Sequence, residues 1–173
     1  AIGTKGKKTN INATEEFLKS GLMMKAIRVQ ANGRIKESMA FENINYKEVY
    51  KEENEWIDSR CYDIFTSRFL FVIFREQTPN SGDYVLDKIF FWTMPPADLN
   101  VAEDYWKNIK QCVNDNHIAP EYFWKIGDHK LFHVRPKGRD VEDLAPNPHG
   151  GKARKYCYWF NNEYITDIVN KNK

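Results

Sequence analysis

The strongest constraint on the fold is Phe69-Leu70-Phe71-Val72-Ile73-Phe74, a continuous run of aromatic, aliphatic and β-branched side chains. Such a run predicts a strand covered on both faces, at the centre of a sheet. Thr78-Pro79-Asn80-Ser81-Gly82 predicts a turn, and Tyr84 to Trp92 the next strand, antiparallel to the first. Pro95-Pro96 ends that strand. A helix follows over about Asp98 to Asn114, its apolar face made by Ala102, Trp106, Ile109 and Val113. Upstream, Leu22 to Gln30 predicts a strand. Asn32-Gly33 then predicts a tight hairpin, with Ile35 to Phe41 as its returning strand. Tyr46 to Glu53 tolerates a helix. Leu131 to Val134 and Tyr156 to Phe160 read as strands, separated by a Gly/Pro-rich basic loop from Pro136 to Lys155. Asn161 or Asn162 caps a last helix with Tyr164, Ile165 and Ile168 turned inward. The order predicts an α/β or mixed α+β fold, a mixed sheet flanked by helices.

A chain of 173 residues suits one domain. Residues 1–12 are polar and basic and read as a linker or mobile arm, Thr14 as a helix cap, and residues 13–173 as a single domain. The first residues hold no apolar signal core, and the start on Ala1 rather than an initiator Met suggests a fragment of a longer protein. No apolar run approaches the roughly 18 residues of a membrane span. Cys61, Cys112 and Cys157 are sparse and lack zinc-ligand spacing, which predicts a reducing, cytoplasmic setting. His117, His129, His133 and His149 show no ligand spacing either, and His133, flanked by Phe132 and Val134 on a strand, reads as structural or surface. The net charge of +2 decides nothing, but its distribution does. Glu48, Glu52, Glu53, Glu55 and Asp58 crowd one stretch, whereas Arg135, Lys137, Arg139, Lys152, Arg154 and Lys155 crowd another. A basic cluster on a nearly neutral protein is either an anion-binding footprint or an ordinary solvated loop. Loops of about twenty residues are uncommon in compact domains and usually functional, which favours the first for Pro136 to Lys155.

Five stretches, in order, carry a resemblance. They are Ser20-Gly21-Leu22-Met23-Met24-Lys25-Ala26-Ile27 with Glu37-Ser38-Met39-Ala40-Phe41 after the turn; Arg68 to Ile73; Phe91-Trp92-Thr93-Met94-Pro95 with Asp104-Tyr105-Trp106; Leu131 to Lys137; and Tyr158 to Tyr164. Together they resemble the family of the MutH mismatch-repair endonuclease and its Sau-three-A-type GATC restriction relatives, and most resemble the second, C-terminal copy of the fold in the latter. The resemblance implies a MutH-like restriction-endonuclease fold. It also implies an acidic residue followed by a strand bearing Glu-x-Lys, whose carboxylates hold Mg²⁺ while the lysine orients water. The matching positions are Glu16, Met23 and Lys25. A thioether is a soft, poor ligand for Mg²⁺, so this degenerate motif predicts no catalytic residues, no metal and no cofactor for the domain itself. Met23 and Met24 then read as strand packing, and Lys25 as a phosphate contact or a solvent-facing side chain. Glu15, Glu37 or Glu42 could rebuild the site, Glu37 from the returning hairpin strand.

The resemblance further implies that Arg135, Pro136 and Lys137 enter the major groove. Arg or Lys can bond guanine O6 and N7, and a proline ring can touch the thymine methyl. Arg139, Lys152, Arg154 and Lys155 would hold phosphates, and Gly138, Gly150 and Gly151 would allow close backbone approach. The structural alternative ends β-structure at Arg135 with an ion pair. Trp159-Phe160-Asn161-Asn162-Glu163 lacks lysines the family carries there, which weakens phosphate contact at that point. Three functions remain: a non-cleaving, GATC-type double-stranded DNA-binding module, acting as the allosteric effector half of a type II restriction endonuclease whose N-terminal catalytic domain uses Mg²⁺; an active Mg²⁺-dependent nuclease with a rearranged motif; or an interaction domain that has lost DNA.

Overall fold

The computed structural model describes residues 15–50, 55–128 and 130–172. The expectations for residues 1–12, Thr14, Glu52, Glu53 and His129 lie outside them, as do the side chains of Glu15 and Glu16. The elements run α1 (Glu15–Ser20), β1 (Leu22–Val29), β2 (Met39–Asn43), α2 (Tyr46–Tyr50), a 3-10 turn at Trp56–Asp58, α3 (Arg60–Thr66), β3 (Arg68–Glu76), β4 (Tyr84–Trp92), α4 (Pro96–Asn114), β5 (Phe132–Pro136), β6 (Leu144–Pro146), β7 (Lys152–Arg154), β8 (Tyr156–Phe160) and α5 (Asn162–Lys171). The protein is mixed α+β. Its strands form two three-stranded sheets and a two-stranded ribbon among the described residues, rather than one sheet. The backbone divides into two compact units, residues 1–34 with 66–93 and residues 35–65 with 94–173.

The first unit holds the sheet β1-β3-β4, with β3 in the middle. β1 runs parallel to β3, and β4 antiparallel to it with a bulge between Ile73 and Phe74. The central position of the Phe69–Phe74 run is as predicted, but its burial is one-sided. Phe69, Phe71 and Ile73 are fully buried, while Leu70, Val72 and Phe74 alternate with them half-exposed. The face that carries Leu70 and Val72 is shared with Phe91 and Ile89 on β4, both about half-exposed, so among the described residues no second layer closes it. On the buried face Phe69 and Phe71 stack 5.5 Å apart, and Trp92 lies 5.4 and 5.7 Å from them. The buried Glu76 carboxylate at the end of β3 accepts the amides of Ala31 and Gly82, one from each of two turns, which satisfies a charge that would otherwise be costly.

The Asn32-Gly33 hairpin is not formed as expected. The chain does turn there, with the Gly33 amide on the Gln30 carbonyl and the Gln30 amide on the Arg34 carbonyl. Gly33 has φ +82°, but Asn32 does not share a positive φ, so the type I′ geometry that propagates a two-stranded ladder is missing. The Asn32 side chain instead accepts the Arg34 amide. β1 pairs with β3, and β2 pairs with β8 in the other unit, so the ladder that would set Glu37 against β1 does not exist.

The second unit holds the antiparallel sheet β2-β8-β5. One face carries Phe132 and Phe160, against which Phe65, Tyr105 of α4 and Tyr164 of α5 pack at ring separations of 5.1 to 5.9 Å. Ala102, Trp106, Ile109 and Val113 of α4 are buried as the spacing predicts, as are Tyr164, Ile165 and Ile168 of α5. The buried Tyr105 hydroxyl donates to the His133 carbonyl at 2.6 Å, fastening α4 to β5. The Pro136–Lys155 segment is not a plain loop: β6 and β7 pair antiparallel across Leu144–Arg154 and Pro146–Lys152. Its turn needs glycine, since Gly150 and Gly151 have φ +108° and +69°. The tip is fastened by Asn147 on Asn116 (2.9 Å) and His149 Nε2 on the Val113 carbonyl (2.9 Å). Among the described residues, no helix is long and apolar enough to cross a membrane.

Candidate nucleic-acid interface

β5 and β8 are neighbours in register His133 opposite Trp159, and Arg135 opposite Cys157. Period-two alternation therefore sets His133, Arg135 and Lys137 on one side of β5, with Trp159 across from them. The Arg135 guanidinium lies over the Trp159 ring at 5.2 Å, and the Lys137 ammonium over the same ring at 6.0 Å. Lys137 Nζ also donates to the Phe41 carbonyl at 2.7 Å. Both cations are exposed, and Pro136 between them is half-buried. The expected alternative, an ion pair ending the strand at Arg135, is not among the described contacts. The ring takes the place of a carboxylate.

The other four basic residues divide into two pairs. Lys152 and Arg154 are exposed at the two ends of β7, and among the described residues no carboxylate lies within 4 Å of either. Arg139 and Lys155 are already engaged. Lys155 Nζ stands 2.5 Å from Asp143 Oδ1, and Arg139 Nε 3.8 Å from Oδ2, with the Arg139 amide donating to the same carboxylate at 3.0 Å. The Lys155 bond first, then the Arg139 amide, holds the Asp143 carboxyl below the usual carboxylate range. Gly138 sits tightly in this loop: a Cβ there would meet the carbonyls of Asp140 and Asp143 at 3.1 Å. Asp143 was not singled out in the sequence, although an acid inside a basic segment is the visible signal for such an internal partner.

His133 is fully buried and structural. Its Nδ1 is hydrogen-bonded to Asn161 Oδ1, and its ring stacks on Trp159 at 5.9 Å and 19°. Asn161 is the N-cap of α5, as one of the two expected candidates, but its side chain makes no cap bond because His133 holds it. Burial above all, helped by the Arg135 charge and opposed by the Asn161 bond, lowers the His133 pKa from the ordinary 6.5. The unfolded chain then takes up a proton that the folded chain refuses. Folding stability is accordingly expected to fall as pH drops below about 6.5 toward the lowered folded value, and to be unaffected by this group above it. Chemical denaturation between pH 5 and 8 checks this. The slope should shrink in His133→Gln, and an unchanged slope would remove His133 as its source.

In the first unit, Met23 and Lys25 share one face of β1, opposite Phe69 and Phe71 of β3, and both are half-buried. Glu16 lies in α1, which packs on β1. Glu42 belongs to the second unit, where Arg60 engages both its carboxylate oxygens at 2.5 and 3.2 Å. Glu37 is exposed on the segment before β2. Among the described residues no three His, Cys, Asp or Glu side chains are grouped to hold a metal ion.

No family model matches the chain. The chain is similar to the type II restriction enzyme Sau3AI of Staphylococcus aureus, with 26% identity over an alignment of 212 positions. The match takes in 97% of this chain and 42% of the relative, so the chain spans less than half the length of that enzyme.

Proposed function

We propose that the chain is a double-stranded DNA-binding module, specific for GATC or a closely related site, that does not itself cut DNA. One arrangement carries the reading. Arg135 and Lys137 stand exposed over Trp159 at the end of β5, and Lys152 and Arg154 stand on the strand leading into β8 without carboxylate partners among the described residues. Two cations held in a fixed pose suit the acceptor atoms of guanine, and two unencumbered cations beside them suit phosphates. The similarity to a type II restriction enzyme across nearly the whole chain supports a duplex as the anion. The role that follows is that of an effector domain in a longer restriction endonuclease, with a separate domain of the same chain doing the Mg²⁺-dependent cutting.

The residues on β1 do not fit Mg²⁺. A divalent hard cation needs oxygen ligands, and where the resemblance implies a carboxylate on this face β1 carries the Met23 thioether, beside the buried Phe69. The domain itself is therefore expected not to hydrolyse a phosphodiester. Its chemistry is recognition: exclusion of water around Trp159, hydrogen bonds from Arg135 and Lys137, and charge neutralisation by Lys152 and Arg154.

The chain is expected to shift a GATC duplex in gel or fluorescence titration. It is also expected to leave supercoiled GATC-rich plasmid intact in Mg²⁺ or Mn²⁺ at protein excess. Nicking that disappears in Glu16→Ala or Glu37→Ala would establish the rival reading, a nuclease with a rearranged motif. Absence of binding to any duplex would leave only the interaction-domain reading.

A further inference from the structure

We infer that Trp159 is the positioning residue of the DNA-reading site: its indole face, not its bulk, fixes Arg135 and Lys137 in the pose that reads bases. The inference rests on the DNA-binding reading above. Long cationic side chains on a surface sample many rotamers, and ordering them on binding costs affinity. Here both cations are gathered over one ring before any ligand arrives, at 5.2 and 6.0 Å, and Lys137 is further tied to the Phe41 carbonyl. The ring is itself fixed. β8 is the central strand of its sheet, Trp159 stands between Ala40 on β2 and His133 on β5, and the His133 ring stacks on it.

The polar end of the same side chain gives an independent argument. Among the described residues, the buried Trp159 Nε1 has no hydrogen-bond partner. An unsatisfied buried donor costs stability, and a phenyl ring would fill much of the same space without one. The indole N–H adds no hydrogen bond among the described residues, and the ring's described contacts with Arg135, Lys137 and His133 are through its face. Indole is the best cation-binding ring among the side chains. Arg135 and Lys137 are the cations it serves.

The test separates a platform from a packing residue, because the two make opposite forecasts for Trp159→Phe. Removing the orphaned N–H leaves the unfolding midpoint near that of the parent, while the weaker ring loosens Arg135. Affinity for the GATC duplex is expected to fall about 2- to 30-fold in Trp159→Leu, the worth of a cation–π contact, with Trp159→Phe between Leu and Trp. Affinity for a scrambled duplex should stay constant. In the free protein, NMR of the Arg135 guanidinium should show an upfield ring-current shift that disappears in Trp159→Leu. Variants that discriminate as well as the parent overturn the inference, as does equal loss on both duplexes or the absence of a ring-current shift in the parent. A parent chain that binds neither duplex overturns the DNA-binding reading as well, so the two failures are distinguishable.

Discussion

Arg135→Ala is expected to weaken binding to the GATC duplex by about 1–3 kcal/mol, roughly 5- to 150-fold, while changing a scrambled duplex little. Arg135 ends its strand exposed, with no carboxylate within ion-pair distance among the described residues, and it is oriented by a ring rather than by a competing charge. Its hydrogen-bond donors remain available for a base edge. Lys137→Ala should cost less, because Lys137 Nζ already donates to the Phe41 carbonyl and must share or surrender that bond to reach DNA. Lys152→Ala and Arg154→Ala should behave differently again. They are expected to weaken all duplexes alike and to lower the salt slope by about one each, as lost phosphate contacts do. Lys155→Ala should do less than either, since Asp143 holds Lys155 in the free protein and that pairing must be exchanged for a phosphate. Competition titration at fixed salt, repeated at several salt concentrations, measures all five variants on one scale. Equal losses on both duplexes for Arg135→Ala would reduce Arg135 to a phosphate contact.

Most elements of the fold are legible in the sequence because they follow from local periodicity. The Ala102, Trp106, Ile109 and Val113 spacing locates α4, and the Phe69–Phe74 run locates the middle strand of its sheet. Partner choice is another matter. Asn32-Gly33 marks a turn correctly, yet a turn signal carries no information about what the following strand finds, and β2 finds β8 more than a hundred residues away. The one-sided burial of β3 was hidden for a related reason, since Leu70, Val72 and Phe74 are as apolar as the residues between them, and only the number of layers decides which face is closed. At the candidate site, the basic residues were visible but their states were not. Asp143 divides six cations into engaged and open ones, and Trp159 acquires a role only when the β5–β8 register sets it across from His133. Asn161 illustrates the same limit. Its residue type and position announce a helix cap, but a buried histidine across the sheet takes its side-chain oxygen.

An enzyme that carries this chain beside a cutting domain is expected to cleave two-site DNA faster than one-site DNA, by about 5- to 150-fold if the coupling is of ordinary size, roughly 1–3 kcal/mol. The premise is the division of labour proposed above. On that proposal, a module that keeps Arg135, Pro136 and Lys137 but has Met23 where the resemblance implies a carboxylate ligand is expected to hold a site without cutting it. Binding energy at the held site accelerates cleavage elsewhere only if the occupied module favours the cutting-competent arrangement over the resting one, because a ligand with equal affinity for both states shifts nothing. Tethering gives a second route to the same preference: a looped second site has a high effective concentration without any conformational coupling. The two routes part in one measurement. A short GATC duplex added in trans should speed cleavage of a one-site plasmid if the coupling is allosteric, and should slow it or leave it unchanged if tethering is the whole effect. Arg135→Ala in the carried module should abolish the gain in the first case at duplex concentrations that saturate the parent. If one-site and two-site plasmids are cut at equal rates and Arg135→Ala alters neither, the module is no regulator, and its DNA contacts serve at most to anchor the enzyme.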